Sequence, residues 1–283
     1  MRMKGIMIQG TASHVGKSII TTAICRMLIK RGFKVSPFKS QNMTSNTAHI
    51  AGSKEIGISQ MKQAEAARLT PKPWMNPVLL KPLQNMQLEV FLLGKSQGII
   101  SGGDFKDLYY EKALVIIKEA LSQIEVVYDY VIIEGAGSPV EMNLRERDLS
   151  NMAIAELADI PVLLVADIEK GGIFASIVGT LMLLTEAERA RVKGLVINKF
   201  IGNQLAFADG VTWLEKYTGL PVIGVIPYLE HNLNEEDSLK QTIDLIYTRS
   251  ERQEDYEKLA THLETYLNVE KLLSIMEGMD YDK

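Results

Sequence analysis

Cysteine and histidine are scarce in this sequence. Cys25 is the one cysteine, which excludes a disulfide framework, and its place in a predicted helix suggests a small buried hydrophobe. The four histidines show no spacing typical of metal ligands. No cysteine–histidine pair or Gly-x-Ser-x-Gly motif indicates a covalent hydrolase. The scarcity argues against a disulfide-rich domain and against a transition-metal site.

Long apolar runs and blocks of one charge are also missing. No stretch approaches the ~20 apolar residues of a membrane span, and the N-terminus has no secretory hydrophobic segment. The 31 basic and 35 acidic residues give a net charge of −4 without a Lys/Arg-rich block. We therefore expect a cytoplasmic protein that binds neither nucleic acid nor membranes.

Short β-branched runs alternate with helical patterns over most of the chain. Continuous apolar runs are typical of parallel strands that are covered on both faces. Strands are predicted at 6–8, 35–38, 126–134, 162–167, 192–198 and 222–227. Helices are predicted at 17–30, 55–69, 105–123, 149–158, 171–184 and 206–217. The alternation predicts a doubly wound α/β domain with a mostly parallel sheet and ligands beyond the carboxyl ends of its strands.

Two regions depart from this alternation. Residues 71–103 are rich in Pro, Gly, Asn and Gln, which suggests a substrate-side insertion with a hairpin near 88–98. Residues 241–249 could be a strand or a helix, and 252–276 show helical spacing in acidic surroundings. We expect a domain over 1–239 and a mainly helical C-terminal extension over 240–283, which packs on the domain or on a partner.

A phosphate-binding loop is predicted at residues 10–18, directly after the first strand. Its small residues let backbone N–H groups face phosphate oxygens, and a helix follows. Lys17 is expected to reach the β- and γ-phosphates, and Ser18 to ligate Mg²⁺. Five residues separate Gly10 from Gly16, one more than in the common motif. The remaining predicted nucleotide contacts in this loop are Thr11, Ser13, His14, Val15 and Gly16.

Charged residues follow other predicted strands. Glu134 ends the third strand before Gly-Ala-Gly-Ser, where a carboxylate can hold Mg²⁺. Lys39 follows the second strand, where an ammonium can neutralise charge on a transferring phosphoryl group. Glu55, at the predicted start of a helix, is a second candidate metal ligand, or it only favours the helix N-terminus.

The polar hexad at 143–148 contains Arg145 and Arg147, which suit bidentate carboxylate recognition. Solvated ion pairs are the simpler interpretation. Asn198 and Pro227 end the fifth and sixth strands, where each could contact a purine edge.

These segments together resemble the synthetase domain of cobyric acid synthase, within the dethiobiotin synthetase-like group of P-loop proteins, over roughly residues 4–239. The five-residue spacing in the loop is also typical of that group. The resemblance rests on Gln9-Gly-Thr, Gly16-Lys-Ser, Pro37-Phe-Lys-Ser-Gln-Asn-Met43, Glu55-Ile-Gly with Gln60, Met75-Asn-Pro-Val-Leu-Leu-Lys-Pro82, Glu134-Gly-Ala-Gly-Ser-Pro139, Asn143-Leu-Arg-Glu-Arg-Asp148 with Asn151-Met152, Ala166-Asp-Ile-Glu-Lys-Gly-Gly-Ile-Phe-Ala175, Val196-Ile-Asn-Lys-Phe200 and Gly224-Val-Ile-Pro-Tyr228.

The resemblance implies that ATP with Mg²⁺ phosphorylates peripheral carboxylates of adenosylcobyrinic acid a,c-diamide, and that ammonia then displaces phosphate to form amides. It implies catalytic roles for Lys17, Lys39 and Glu134, and metal contacts for Ser18, Glu134 and Glu55. The implied substrate contacts are Gln41, Asn42, Asn76, Lys81, Ser138, Asn143, Arg145 and Asp148. A homodimer is expected by analogy with related proteins.

The family normally continues into a glutaminase domain, which the roughly 44 residues after Leu239 are too few to form. We therefore expect ammonia from the free pool or from a separate glutaminase subunit, or else a shift to another ligase reaction. Two other readings stay open: a ParA- or MinD-like ATPase switch, and a dethiobiotin synthetase or cobyrinic acid a,c-diamide synthase. Thr11 and Ala12 stand where such switches usually carry a second lysine.

Overall fold

The computed structural model describes residues 3–230 and 249–279. Its strands are β1 (Gly5–Gly10), β2 (Val35–Phe38), β3 (Gln41–Met43), β4 (Thr47–Ile50), β5 (Lys54–Gly57), β6 (Val78–Pro82), β7 (Gln87–Leu92), β8 (Lys95–Ser101), β9 (Tyr130–Glu134), β10 (Val162–Asp167), β11 (Val192–Phe200) and β12 (Val222–Pro227). Its α-helices are α1 (Lys17–Lys30), α2 (Ile58–Ala66), α3 (Phe105–Val127), α4 (Met152–Leu157), α5 (Ile173–Leu183), α6 (Glu186–Arg191), α7 (Ala208–Thr218), α8 (Arg249–Tyr266) and α9 (Val269–Glu277).

The central sheet has six parallel strands in the order β12-β11-β10-β1-β9-β2. Every residue of β1, β9 and β10 is buried, because helices cover both faces of the sheet. One hydrophobic core contains side chains of α3, α4 and α5, and the other contains those of α1, α8 and α9. The predicted doubly wound α/β architecture is confirmed.

One strand is shorter than predicted. Residues 126–129 do not belong to β9, because α3 continues to Val127 and Tyr128 N–H still donates to the Ile124 carbonyl at 3.0 Å. Val126 and Val127 are exposed on the last turn of that helix. Their β-branched side chains resemble a strand start in sequence, but they cover no face of the sheet.

The insertion at 71–103 contains most of a second sheet, with the order β3-β6-β7-β8. The predicted hairpin near 88–98 is confirmed as β7 and β8, joined by Leu93 and Gly94. Both connecting residues have positive φ, which is typical of a type I′ turn whose twist matches the strands.

The helix predicted at 55–69 begins later than expected. Residues Lys54–Gly57 form β5, which pairs antiparallel with β4, and α2 starts only at Ile58. The N–H of Glu55 donates to the Gly94 carbonyl at 2.9 Å, so pairing with distant segments overrides the helical pattern here. Glu55 therefore lies on a strand and not at a helix N-terminus.

The predicted segment 241–249 lies outside the described residues except for Arg249, which begins α8. The helix predicted at 252–276 is two helices, since Leu267 forms an antiparallel bridge with Gly224 and Asn268 caps α9. Among the residues described, no helix has both the length and the apolar character needed to cross a membrane.

Candidate active site

The phosphate-binding loop lies between β1 and α1. One carbonyl of β10 and two side chains of β11 hold its backbone. Thr11 N–H donates to the Val165 carbonyl at 2.9 Å. The Asn198 amide donates to the Val15 carbonyl at 2.9 Å, and Lys199 Nζ donates to the His14 carbonyl at 2.7 Å. The carboxyl-terminal parts of β10 and β11 thus hold the backbone of the loop.

Gly16 is required by both conformation and space. It precedes α1 with φ +95°, and a Cβ there would lie 2.1 Å from Asn198 Nδ2. Left-handed backbone favours glycine, and the clash would push Asn198 off the Val15 carbonyl.

We expect Gly16→Ala to weaken ATP binding by roughly tenfold or more and to destabilise the fold by more than the ~1–2 kcal/mol of backbone strain alone. Gly32→Ala is the matched control, because Gly32 has φ +88° but nothing within 4 Å of its Cβ position. Fluorescence titration with an ATP analogue and urea unfolding would measure both. Equal behaviour of the two variants would contradict the role of the Asn198 contact.

Lys17 connects two walls of the site. Its buried Nζ donates to the carbonyls of Ala12 and Gly137, each at 3.0 Å. Ala12 belongs to the phosphate-binding loop, and Gly137 follows β9. An ammonium between these walls stands where phosphate groups of a nucleotide lie against the loop.

Glu134 is the centre of the polar network. It is 1% exposed and accepts hydrogen bonds on Oε1 from Ser18 Oγ at 2.8 Å and from Lys39 Nζ at 3.0 Å. Its Oε2 accepts from Gln63 Nε2 of α2. Lys39 is itself 4% exposed, so the two charges form a buried ion pair with additional hydrogen bonds.

Glu134 is held in its ionised form. Burial opposes ionisation, but the Lys39 charge and the hydrogen bonds from Ser18, Lys39 and Gln63 outweigh it and keep the pKa of Glu134 below its ordinary value. By contrast, burial raises the pKa of the Cys25 thiol in α1, so that thiol stays protonated and is not a nucleophile.

A cavity of about 210 Å³ unites these groups. Its lining includes Ser13, His14, Gly16, Lys17, Ser18, Lys39, Asn42 and Glu134. A larger groove of about 1080 Å³ lies at the amino ends of β10, β11 and β12, and no candidate residue lines it. In a parallel α/β sheet ligands bind beyond the carboxyl ends, so the smaller cavity is the candidate active site.

Comparison with known proteins identifies the domain. The CobQ/CobB/MinD/ParA nucleotide binding domain matches residues 6–243. The chain belongs to this family. Its membership agrees with the phosphate-binding loop and with the buried Lys39–Glu134 pair beside it.

Several relatives in this nucleotide-binding family are cobyric acid synthases. The one from Crocosphaera subtropica is 49% identical over 253 residues, which cover 89% of this chain and 50% of that protein. The probable cobyric acid synthase of Methanothermobacter thermautotrophicus is 50% identical over 84% of this chain and 47% of that protein. The chain thus spans about half the length of the curated relatives it matches. The GDP complex of FtsY from Elizabethkingia anophelis has a TM-score of 0.48 at 15% identity, covering 90% and 64% of the two chains.

Magnesium suits the oxygen donors beside the nucleotide-binding loop. Ser18 Oγ and Glu134 Oε1 are 2.8 Å apart, and Mg²⁺ prefers oxygen ligands, taking one or two from the protein and others from phosphates and water. No cluster of three histidine, cysteine or acidic side chains that could bind a metal occurs in the described part of the chain. The donor set therefore fits a cation that is shared with a nucleotide.

Glu55, predicted as a second metal ligand, does not line the cavity. On β5 its carboxylate accepts from Thr47 Oγ1 at 2.9 Å and pairs with Lys81 Nζ at 3.2 Å. Burial opposes its ionisation, but Thr47 and Lys81 outweigh this and lower the pKa of Glu55. Lys81, a predicted substrate contact, is therefore engaged by Glu55.

Asn42 and Asn76 occupy different positions among the predicted substrate contacts. Asn42 lines the cavity and donates to Gln60 Oε1 at 2.9 Å. Asn76 is fully buried: its amide donates to the Lys39 carbonyl at 3.1 Å and accepts from Gly57 N–H at 3.1 Å. It positions the strand end that carries Lys39. Gln41 is half-buried on β3.

Charged residues of the hexad at 143–148 make contacts outside the cavity. Arg145 pairs with Glu188 and donates to the Leu183 carbonyl at 3.0 Å, while Asn143 is exposed. Asp148 accepts from the N–H groups of Ser150, Asn151 and Ala153, so its carboxylate holds the turn that precedes α4. Nearby, Ser138 Oγ is buried and accepts from Val140 N–H at 3.4 Å.

The predicted base contacts are also in use within the protein. Asn198 donates to the loop, as described above, and the Pro227 carbonyl lies 2.9 Å from His262 Nε2 of α8. Sequence reasoning missed Gln63 and His262. A buried glutamine three residues after Gln60 on one helix face was the signal for Gln63, whereas no local pattern indicates that His262 reaches β12.

Proposed function

We propose that this chain is an ATP-dependent amide synthetase that acts on peripheral carboxylates of adenosylcobyrinic acid a,c-diamide in cobalamin biosynthesis. The observation that carries the proposal is a second buried ammonium, Lys39, which lines the same cavity as Lys17. A second ammonium beside the phosphate-binding loop suits transfer of a phosphoryl group to an anionic acceptor, because it neutralises charge on the two anionic reactants. The similarity to cobyric acid synthases supports the corrinoid as that acceptor.

The reaction follows two displacements. A substrate carboxylate oxygen attacks the γ-phosphorus, the bond to the β,γ-bridging oxygen breaks, and ADP leaves with an acyl phosphate formed. Ammonia then attacks the acyl carbon, the carbon–oxygen bond to phosphate breaks, and the nitrogen loses a proton. Activation is needed because a carboxylate has no good leaving group, whereas an acyl phosphate has one.

The residues of the site divide this work by charge. Lys17 and Lys39 neutralise charge on the transferring phosphoryl group. Ser18 and Glu134 would hold Mg²⁺, which supplies further charge neutralisation when bound. Asn42 is the proposed substrate contact that already lines the cavity; Gln41, Asn76, Lys81, Ser138, Asn143, Arg145 and Asp148 remain proposed contacts outside its lining. Asn198 and Pro227 remain proposed base contacts, and Glu55 remains a proposed metal contact.

We propose ammonia as the nitrogen donor, with the free pool or a separate glutaminase subunit as its source. We further propose a homodimer in the cytoplasm, by analogy with related proteins. A ParA- or MinD-like ATPase switch belongs to the same nucleotide-binding family, so it is the alternative to test.

The test is mass spectrometry of adenosylcobyrinic acid a,c-diamide after incubation with the chain, MgATP and an ammonium salt, beside a sample given glutamine. We expect a loss of about 1 Da for each carboxylate converted to an amide, with ammonium. Amidation in the sample given glutamine would show that the chain releases ammonia from glutamine itself, which would reject an external ammonia supply. If the protein binds ATP and dimerises when ATP is present but forms no amide, the result would favour the ParA- or MinD-like ATPase switch.

A further inference from the structure

Helix α8 lies beyond the family match, which ends at residue 243, yet it is part of the same core as the phosphate-loop helix. Tyr256, Leu259 and Leu263 of α8 are buried in one cluster with Ile24 and Leu28 of α1. The helix that follows the phosphate-binding loop therefore has its outer face covered by the C-terminal part of the chain.

Arg26 shows that α1 is built for this cover. Its guanidinium is 1% exposed although it stands in the middle of the helix. It donates to Gln253, lies 3.6 Å from Glu257, and faces the Tyr256 ring at 5.6 Å from the centroid. Burial of a guanidinium costs free energy unless such partners surround it, and Gln253, Tyr256 and Glu257 all belong to α8.

Helix α8 also contacts α2. Arg252 reaches Glu65 with two nitrogens at 3.0 and 3.3 Å, and Tyr256 Oη donates to Glu65 Oε2 at 3.0 Å. Burial raises the pKa of Tyr256, so its hydroxyl stays a donor. Glu65 stands two residues after Gln63, which donates to Glu134 in the active site.

The chain after α8 is anchored to the sheet edge. Leu267 pairs antiparallel with Gly224 of β12, and Asn268 N–H donates to the Ile223 carbonyl at 2.7 Å. A Cβ at Gly224 would lie 2.8 Å from Leu267 Cδ1, so the glycine permits this close approach. The end of α8 is thus fixed relative to the strands that carry the site.

We propose that α8 is a positioning helix of the nucleotide site: Arg252 and Tyr256 hold Glu65, and this contact keeps α2 where Gln63 reaches Glu134. The proposal rests on nucleotide binding by the family and not on the corrinoid substrate. Failure of the amidation test would therefore leave it standing.

The test is a double-mutant cycle between Arg252→Met and Gln63→Met in the full chain. We expect Arg252→Met to weaken binding of a fluorescent ATP analogue with Mg²⁺ by roughly three- to tenfold. The double variant should bind as Gln63→Met does, because Arg252→Met acts through the contact between Gln63 and Glu134, which Gln63→Met has already removed. With EDTA in place of Mg²⁺ the differences should vanish. Hydrogen exchange at 58–66 should become faster in Arg252→Met.

Arg68→Met is the matched control. Arg68 also reaches α8, through Glu257 at 3.7 Å, but its side chain is 65% exposed. We expect it to leave binding and exchange unchanged. Tyr256→Phe, which removes only the hydroxyl, replaces Arg252→Met if that variant unfolds. Effects of Arg252→Met and Gln63→Met that multiply in the double variant, or an Arg252→Met that binds like Arg68→Met, would overturn the proposal.

Discussion

Glu134→Gln is expected to lower the rate of ATP-dependent amide formation by roughly 10³-fold, the scale of losing one preorganised electrostatic group. The substitution keeps the size of the side chain but replaces the negative charge that pairs with Lys39 and faces Ser18 by a neutral amide. It leaves the buried Lys39 ammonium without its counter-ion, and it removes the carboxylate proposed to hold Mg²⁺. Loss of the metal ligand and loss of the group that positions Lys39 both slow the transfer of the phosphoryl group.

The measurement is amide formation, followed by mass spectrometry, with urea unfolding of the same preparation. Because one partner of a buried pair is removed, we expect the free energy of unfolding to fall by about 3–5 kcal/mol. Glu111→Gln is the control, since Glu111 is exposed on α3. A Glu134→Gln variant that retains more than a tenth of the wild-type rate would contradict the assigned role.

Tyr256→Ala is expected to cost about 3–5 kcal/mol of unfolding free energy, the range for removal of a buried aromatic side chain. Tyr256 is fully buried and packs in the core shared by α1 and β1. Its ring faces the Arg26 guanidinium, and its hydroxyl donates to Glu65. The substitution therefore creates a cavity and also deprives two charged groups of a neighbour.

Urea unfolding of the full chain measures this effect. Tyr217→Ala offers the control. Tyr217 is 60% exposed on α7 and stacks on Trp213 with ring centroids 4.8 Å apart, so its loss should cost only about 0.5–1.5 kcal/mol. If the two variants lost the same stability, α8 would not belong to the cooperative core of the domain. The domain limits expected from the sequence, 1–239 and 240–283, would then describe the folding units better than the packing does.

Much of the fold could be predicted because local pattern and tertiary structure agree. The strands at 35–38, 162–167 and 222–227 and the helix at 17–30 have the expected limits, since a proline, a glycine or a charged residue stands at or next to each end of these segments. Lys39 and Glu134 could be placed near each other because parallel strands end at one edge of the sheet.

The remainder depends on contacts between distant segments. Glu55 looks like a helix start until pairing of β5 with β4 makes it part of a strand. Arg145 of the hexad pairs with Glu188, which is distant in the sequence, so this contact could not be predicted from local pattern. The helical spacing in 252–276 reveals an apolar face but not that Tyr256 would cover Arg26, because periodicity specifies a buried side and not its neighbour.

The most direct measurement uses the amidation assay with substrate whose carboxylates carry ¹⁸O. Phosphoryl transfer to the carboxylate predicts that one ¹⁸O atom leaves with each phosphate released as an amide forms, because the carbon–oxygen bond breaks in the second step. Inorganic phosphate that contains no ¹⁸O, although amide has formed, would contradict activation by an acyl phosphate and with it the roles given to Lys17 and Lys39.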